Sequence, residues 1–223
     1  MHTPNSISTS SEFSGTQEEY LLLDHQVAID ALADATDYWR NVSRFDRLTE
    51  LQNLSSWQEG ITERIEQGKP FGIFLLDMDK FKTINDNISH IEGDRLLQDF
   101  GSTLRRSFIR RDDRIRQASI VTTLHDHEGD DASRLGGDEF AVAVSLWGNH
   151  RRGHDIHSRM DESWGYLQQV VHDFVDAQPD KVKGQGFGIS FGAAVWDPEN
   201  PLTLKELHEQ ADNSMREMKQ DTR

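Results

Sequence analysis

The segment Phe71-Gly-Ile-Phe-Leu-Leu-Asp77 limits the fold of this chain more than any other. An apolar run of strand length that stops abruptly on a carboxylate fits a buried strand ending at one edge of a core. Asp79 follows two residues later, and on an extended chain it faces the same side as Asp77. Residues 134–146 have the form of a hairpin: Gly136-Gly137 supplies the turn, and Phe140, Val142 and Val144 alternate with small residues. Phe187, Ile189, Phe191, Ala193 and Val195 alternate with Gly188, Ser190, Gly192 and Ala194, the pattern of a strand packed on one side.

Helical signals lie between these strands. Residues 46–54 read as a turn, and 55–67 as a helix closed by Gly68 and Pro70. Residues 93–108 carry Leu96, Leu97, Phe100 and Leu104 on one face, and Met160, Trp164, Leu167, Val171 and Phe174 mark another helix. Thr203 with Glu206 forms a capping box opening a last helix, whose Leu204, Leu207, Ala211, Met215 and Met218 face inward. Residues 115–124 fit a strand, followed by an acidic stretch (125–133), and 148–158 read as a polar loop. The order helix, strand, helix, helix, hairpin, helix, strand, helix describes an α/β chain of the α+β kind, with a mainly antiparallel central sheet flanked by helices. Ahead of it, residues 1–16 are rich in Ser and Thr without periodicity, which fits disorder. Residues 17–45 carry Leu22, Ile29, Leu32, Trp39 and Val42 at helical spacing, a lead-in helix whose stripe fits either pairing of two chains or packing on its own domain.

Charge narrows the function classes. Twenty-four Lys and Arg stand against 39 Asp and Glu, a formal net charge of -15, which repels a nucleic-acid backbone. The same field repels a triphosphate, so a nucleotide site here requires a local cluster of cations and metal. The absence of cysteine excludes disulfides and thiolate metal sites. With no apolar leader and no long apolar run, the expectation is a cytoplasmic protein without a membrane span.

Asp77 and Asp79 at a strand end, with Asp138 and Glu139 on a Gly-Gly turn, are either solvated loop acids or a Mg²⁺ site of the kind that binds phosphates. Mg²⁺ is usually held by one or two carboxylates plus phosphate oxygens and water. Together the segments LDMDKFKTINDNISHIEGD (from Leu76) and RLGGDEF (from Arg134) resemble the GGDEF family, the diguanylate cyclases. DRLTELQNL, from Asp46, is similar to that family's opening D-x-L-T-G-L-x-N-R, and ADNSMREMKQDTR, from Ala211, to its closing A-D-x-A-L-Y-x-A-K-x-x-G-R. The resemblance covers residues 46–223, with insertions near 114–133 and 148–158.

The resemblance implies a palm-like fold and the condensation of two GTP into cyclic di-GMP with release of two pyrophosphates, in a homodimer whose two domains meet face to face. It implies Mg²⁺ (or Mn²⁺) held by Asp77, the backbone carbonyl of Met78 and Glu139. Asp138 would lie at the ribose hydroxyl, as general base or further metal contact. Lys82, Lys219 and Arg223 would neutralise the phosphates, and Lys82 is thereby also a catalytic candidate. Asn85 and Asp94 would read the base, with Phe81 and His90 beside the substrate. A carboxylate accepts from guanine N1–H and N2–H₂ together, whereas adenine offers neither, so Asp94 points to GTP. Asp94 also suits an N-cap for the helix that follows it.

Departures from the family pattern are Glu50 for Gly, Leu54 for Arg, Arg216 for Tyr and Thr222 for Gly. Arg110 and Asp113 match the family's R-x-x-D inhibitory product site, but residues 114–133 separate them from the signature; at the usual spacing stand His127 and Asp130. The competing readings are a non-catalytic GGDEF module that binds GTP or cyclic di-GMP, and a cyclase of relaxed base choice.

Overall fold

The computed structural model describes residues 25–30, 32, 44–109, 130–147 and 155–221. The chain divides into two compact units, residues 1–42 and 43–223. In the first, residues 25–30 and 32 are helical and expose Val27, Ile29 and Leu32.

The second unit begins with the turn at residues 46–49. Asp46 caps it, its Oδ1 accepting from Thr49 N at 2.9 Å and Thr49 Oγ1 at 2.8 Å. Helix α1 (Leu54–Gln67) follows; Asn53 caps its start, and Gly68, at φ 65°, ends it in the left-handed conformation that glycine tolerates best. Strand β1 (Phe71–Asp79) runs two residues further than the apolar stretch, so Asp77 and Asp79 both lie on extended backbone. Lys80, at φ 61°, turns the chain into a short helix α2 (Phe81–Asn87), which the hydrophobic pattern does not reveal.

Helix α3 (His90–Phe108) starts earlier than its apolar stripe. Ser89 is its N-cap, accepting from Glu92 N at 3.1 Å, so Asp94 lies inside the helix and is not its cap. Strand β2 (Asp131–Gly136) reaches back into the acidic stretch because Asp131 and Ser133 pair with Ala143 and Ala141 of strand β3 (Glu139–Ser145). Helix α4 (Ile156–Asp176) begins inside the expected polar loop, capped by Asp155. A short helix α5 (Asp180–Lys183), strand β4 (Gly188–Trp196) and helix α6 (Leu204–Asp221) complete the unit. The expected strand at 115–124 lies outside the described residues.

The sheet order is β2-β3-β1-β4, with every neighbouring pair antiparallel. Both faces are covered. On one, Phe74, Leu76, Met78, Phe140, Val142, Val144 and Phe191 pack against Leu96, Phe100 and Leu104 of α3 and Leu167 and Phe174 of α4. On the other, Phe71, Ile73, Leu75, Ala141, Ala143, Ala194 and Trp196 meet Trp57 and Ile61 of α1 and Leu207 and Ala211 of α6. Strand β4 is therefore packed on two sides, not one: its small residues do not face water but admit a helix at close range. A Cβ on Gly192 would stand 2.1 Å from Met215 N and 2.2 Å from the Ala211 carbonyl oxygen. The outer edge of β4 is blunted by the same helix, whose Ser214 Oγ accepts from Ala193 N at 3.2 Å. Among the described residues no helix is long and apolar enough to cross a membrane.

Candidate active site

Strand alternation assembles the acids. Asp77 and Asp79 continue the series Phe71, Ile73, Leu75 and therefore project on the α1/α6 face, beyond the last apolar side chain. Glu139 continues Ala143 and Ala141 in the same way, and it lies directly opposite Asp77 in the β1–β3 register. Ser190 faces Asp77 from the other neighbour, β4. Directly opposed residues share a face with Cβ atoms about 5 Å apart, so the two carboxylates stand side by side.

Asp138 occupies the turn between β2 and β3. Gly136 and Gly137, at φ 154° and 53°, supply the backbone that this turn needs. The Asp138 carbonyl accepts from Met78 N at 3.3 Å, which ties the turn to the end of β1. Arg134 clamps it from the other side: Nε and Nη2 donate to the Gly137 carbonyl at 3.0 and 2.7 Å, while Nη1 reaches both Asp46 oxygens at 3.0 and 3.2 Å. Burial pushes the Asp46 carboxyl up, but hydrogen bonds from Thr49 and Arg134 outweigh it and hold the group below its ordinary range. Arg134 and Asp46 are site-supporting residues that sequence reasoning did not single out. The signal was present, an arginine just before the turn and an aspartate opening the domain, but nothing in the sequence pairs them.

The acids at the turn are destabilised as anions. Burial raises the Asp138 carboxyl, and the charge of Asp77 adds to it against Lys219 and Arg134. Glu139 is raised by burial, then by Asp77, Asp138 and Asp212, with Lys219 opposing. A cation belongs here, and one side chain supplies it: Lys219 Nζ lies 2.6 Å from Asp77 Oδ1 and 3.8 Å from Asp79 Oδ1.

Among the described residues no group of three or more His, Asp or Glu side chains gathers to hold a metal ion on its own. The donor set nevertheless suits Mg²⁺ or Mn²⁺ bound with a nucleotide. Asp77 and Glu139 offer two carboxylates in register, and the remaining ligands of such an ion are phosphate oxygens and water. The Met78 side chain is buried on the opposite face, so its backbone alone could contribute.

Next to the acids, α2 and α3 bring further candidates together. Phe81 and Lys82 open α2, Lys82 being exposed and Phe81 packed against the core. Asn85 lies against the start of α3 at Gly93: a Cβ there would stand 2.0 Å from Asn85 Oδ1 and 3.2 Å from Phe81 Cζ. This seats Asn85 beside Asp94, the next residue, which is exposed, as is His90 one turn earlier. Arg223 and the pair Arg110 and Asp113 lie outside the described residues.

A family profile described as "Diguanylate cyclase, GGDEF domain" matches residues 43–119 and 117–223. Diguanylate cyclase DgcS of Shewanella oneidensis is 28% identical over 179 residues, which are 78% of this chain and 49% of the relative. Cyclic di-GMP phosphodiesterase NbdA of Pseudomonas aeruginosa is 30% identical over 136 residues, 57% of this chain and 15% of the relative. The chain thus spans less than half the length of either protein. Among solved structures, the coiled coil and GGDEF domain of DgcB from Caulobacter crescentus, in complex with c-di-GMP, superposes with a TM-score of 0.62. It covers 93% of this chain and 97% of that one at 19% identity, a likeness of fold.

Proposed function

This chain belongs to the GGDEF domain family of diguanylate cyclases, and from that premise we propose that it condenses two GTP into cyclic di-GMP, releasing two pyrophosphates. The observation that carries the reading is the register of Asp77 opposite Glu139 with Asp138 in the adjoining turn. Asp77, the Met78 carbonyl and Glu139 would hold Mg²⁺ (or Mn²⁺), which when bound would neutralise phosphate charge and lower the barrier to displacement of pyrophosphate.

The side chains divide the remaining work. Asp138 takes the proton of the ribose 3′-hydroxyl as general base. Lys82, Lys219 and Arg223 contact the phosphates and offset the acidic surface. Asp94 accepts from guanine N1–H and N2–H₂, and Asn85, fixed against Gly93, donates to guanine O6 or N7. Phe81 and His90 border the nucleoside. One domain presents one GTP, so turnover requires a second copy of the domain, and the homodimer is the active form. The setting is the cytoplasm, where GTP is supplied.

The test is to incubate the purified chain with Mg²⁺ and GTP, ATP or both, and to identify products by mass. Cyclic di-GMP alone is the expected product, with a rate per chain that rises with protein concentration. No dinucleotide at high protein concentration would refute the enzymatic reading in favour of a binding module, and an adenine-containing product would refute the role of Asp94. Asp138→Ala should abolish turnover while GTP binding stays measurable.

A further inference from the structure

The two acids of Asp77-Met-Asp79 project on one face, yet their surroundings differ. Asp77 has Glu139 opposite it on β3 and Ser190 on β4. Strand β3 begins at Glu139, so among the described residues Asp79 pairs only with Gly188 of β4 and has no second carboxylate across from it. Asp79 is instead held in place: its Oδ2 accepts from Ser190 Oγ at 2.7 Å, and the absent side chain of Gly188 leaves room beside that oxygen. Its Oδ1 is the atom turned toward Lys219, at 3.8 Å.

We propose that Asp79 is a positioning residue that gives the Lys219 ammonium a second seat, so that a divalent ion can take Asp77 while the ammonium stays beside the phosphates. The proposal rests on the reading of Asp77 as a metal ligand. A divalent ion that takes Asp77 Oδ1, the oxygen the ammonium holds at 2.6 Å, repels the ammonium and displaces it. Asp79 Oδ1 is a fixed acceptor close by; closing from 3.8 Å to hydrogen-bond length takes a movement of about 1 Å, within reach of the flexible lysine stem. Ser190 keeps that acceptor oriented from the neighbouring strand. Asp77 and Asp79 thus have different tasks despite their common parity: one binds the metal, the other retains the displaced cation.

The experiment measures Mn²⁺ binding to the full chain without nucleotide, by the loss of the free-ion electron paramagnetic resonance signal. Lys219→Met, which removes the competitor, should bind Mn²⁺ roughly tenfold tighter than the parent. Asp79→Asn keeps the volume and the Ser190 contact but removes the second seat, so binding should weaken by several-fold. In the Lys219→Met background the Asp79→Asn effect should shrink to less than about twofold, because nothing remains to be reseated. Ser190→Ala, which leaves every charge in place, should weaken Mn²⁺ in the same direction by a smaller factor, and only when Lys219 is present. An equal loss from Asp79→Asn in both backgrounds would make Asp79 a direct metal contact and overturn the proposal, as would no loss in either. If neither the parent nor Lys219→Met binds Mn²⁺, the ion does not compete with the ammonium for Asp77 and the proposal falls. With no GTP present, these isotherms are independent of whether the chain makes cyclic di-GMP.

Discussion

Gly192→Ala tests the close seating of α6 on the sheet. Alanine in a strand interior is ordinarily the better residue, by about 0.5–1 kcal/mol over glycine. Here the added Cβ would lie 2.1 Å from Met215 N, 2.2 Å from the Ala211 oxygen and 2.7 Å from Met215 Cα. Carbon seeks neighbours at about 3.5 Å, so α6 would have to lift by about 1 Å. The obstructing atoms are helix backbone, which no rotamer change relieves, and the cost belongs near the upper end of the roughly 1–3 kcal/mol seen for overpacking. Net of the strand preference, the loss is about 2 kcal/mol, or about 4–8 °C in Tm for a domain of this size. Lys219 lies one turn beyond Met215, so the same lift draws its ammonium away from Asp77, and GTP affinity should fall alongside Tm. Thermal unfolding followed by circular dichroism measures the first effect, and a GTP binding isotherm in Mg²⁺ the second. A Tm equal to or above the parent's would refute the contact.

Gly165 is the matched opposite: it sits exposed within α4, a Cβ there would meet nothing within 4 Å, and Gly165→Ala should raise stability by about 1 kcal/mol in the same melt. Arg134→Lys should lower stability by about 1.5 kcal/mol in urea and slow turnover, because one ammonium does not reach both the Gly137 carbonyl and the Asp46 carboxylate as the guanidinium does. Asp138→Asn should raise Tm at pH 7 while removing activity. Its carboxyl is raised in the fold, so the stability it contributes is complete below the unfolded-state pKa and is lost as pH rises through the folded one; the variant's Tm should accordingly change less between pH 4 and 7, and a parent that melts no lower than the variant at pH 7 would contradict this.

Strands β3 and β4 were legible because large and small residues alternate along them, and β1 because its apolar run is continuous, whereas the first half of β2 carries neither signal. What misled was local chemistry competing with that signal. The true start of α3 is a capping sequence, Ser89 with Glu92, but Gly93 follows and makes the first turn look like a loop. That glycine is there for Asn85, whose amide oxygen occupies the space of a Cβ. Helix α2 is too short to show a period, and it opens from a left-handed lysine. The departure at Glu50 also has a structural reading: the residue sits at φ 57°, a conformation that suits glycine and costs another residue about 1 kcal/mol. Arg105 offsets part of this by donating to the Glu50 carbonyl and pairing with its carboxylate at 3.1 Å. The Arg134–Asp46 clamp spans 88 residues, and no local pattern announces a contact of that separation.

The acids and their cation are placed by one constraint, the size difference between the two faces of the sheet. On β3 the α3/α4 face carries Phe140, Val142 and Val144 and the α1/α6 face Ala141 and Ala143; on β4 Phe191 stands on the first face, and Gly192 and Ala194, with Trp196 at the far end, on the second. A slip of β1 by one residue against either neighbour would exchange its faces, setting Phe74 and Leu76 under α6 and carrying Asp77 to the α3/α4 side. The large core on that side forbids a charge, so register is specified at every position before the acids are reached. The small residues that enforce it also let α6 approach the sheet backbone, and that approach is what brings Lys219 within 2.6 Å of Asp77. In a chain of net charge -15, a nucleotide site needs such a local cation. The packing that fixes where Asp77 points is therefore the same packing that delivers the charge it needs, and a change in α6 seating should move stability and phosphate affinity together rather than one without the other.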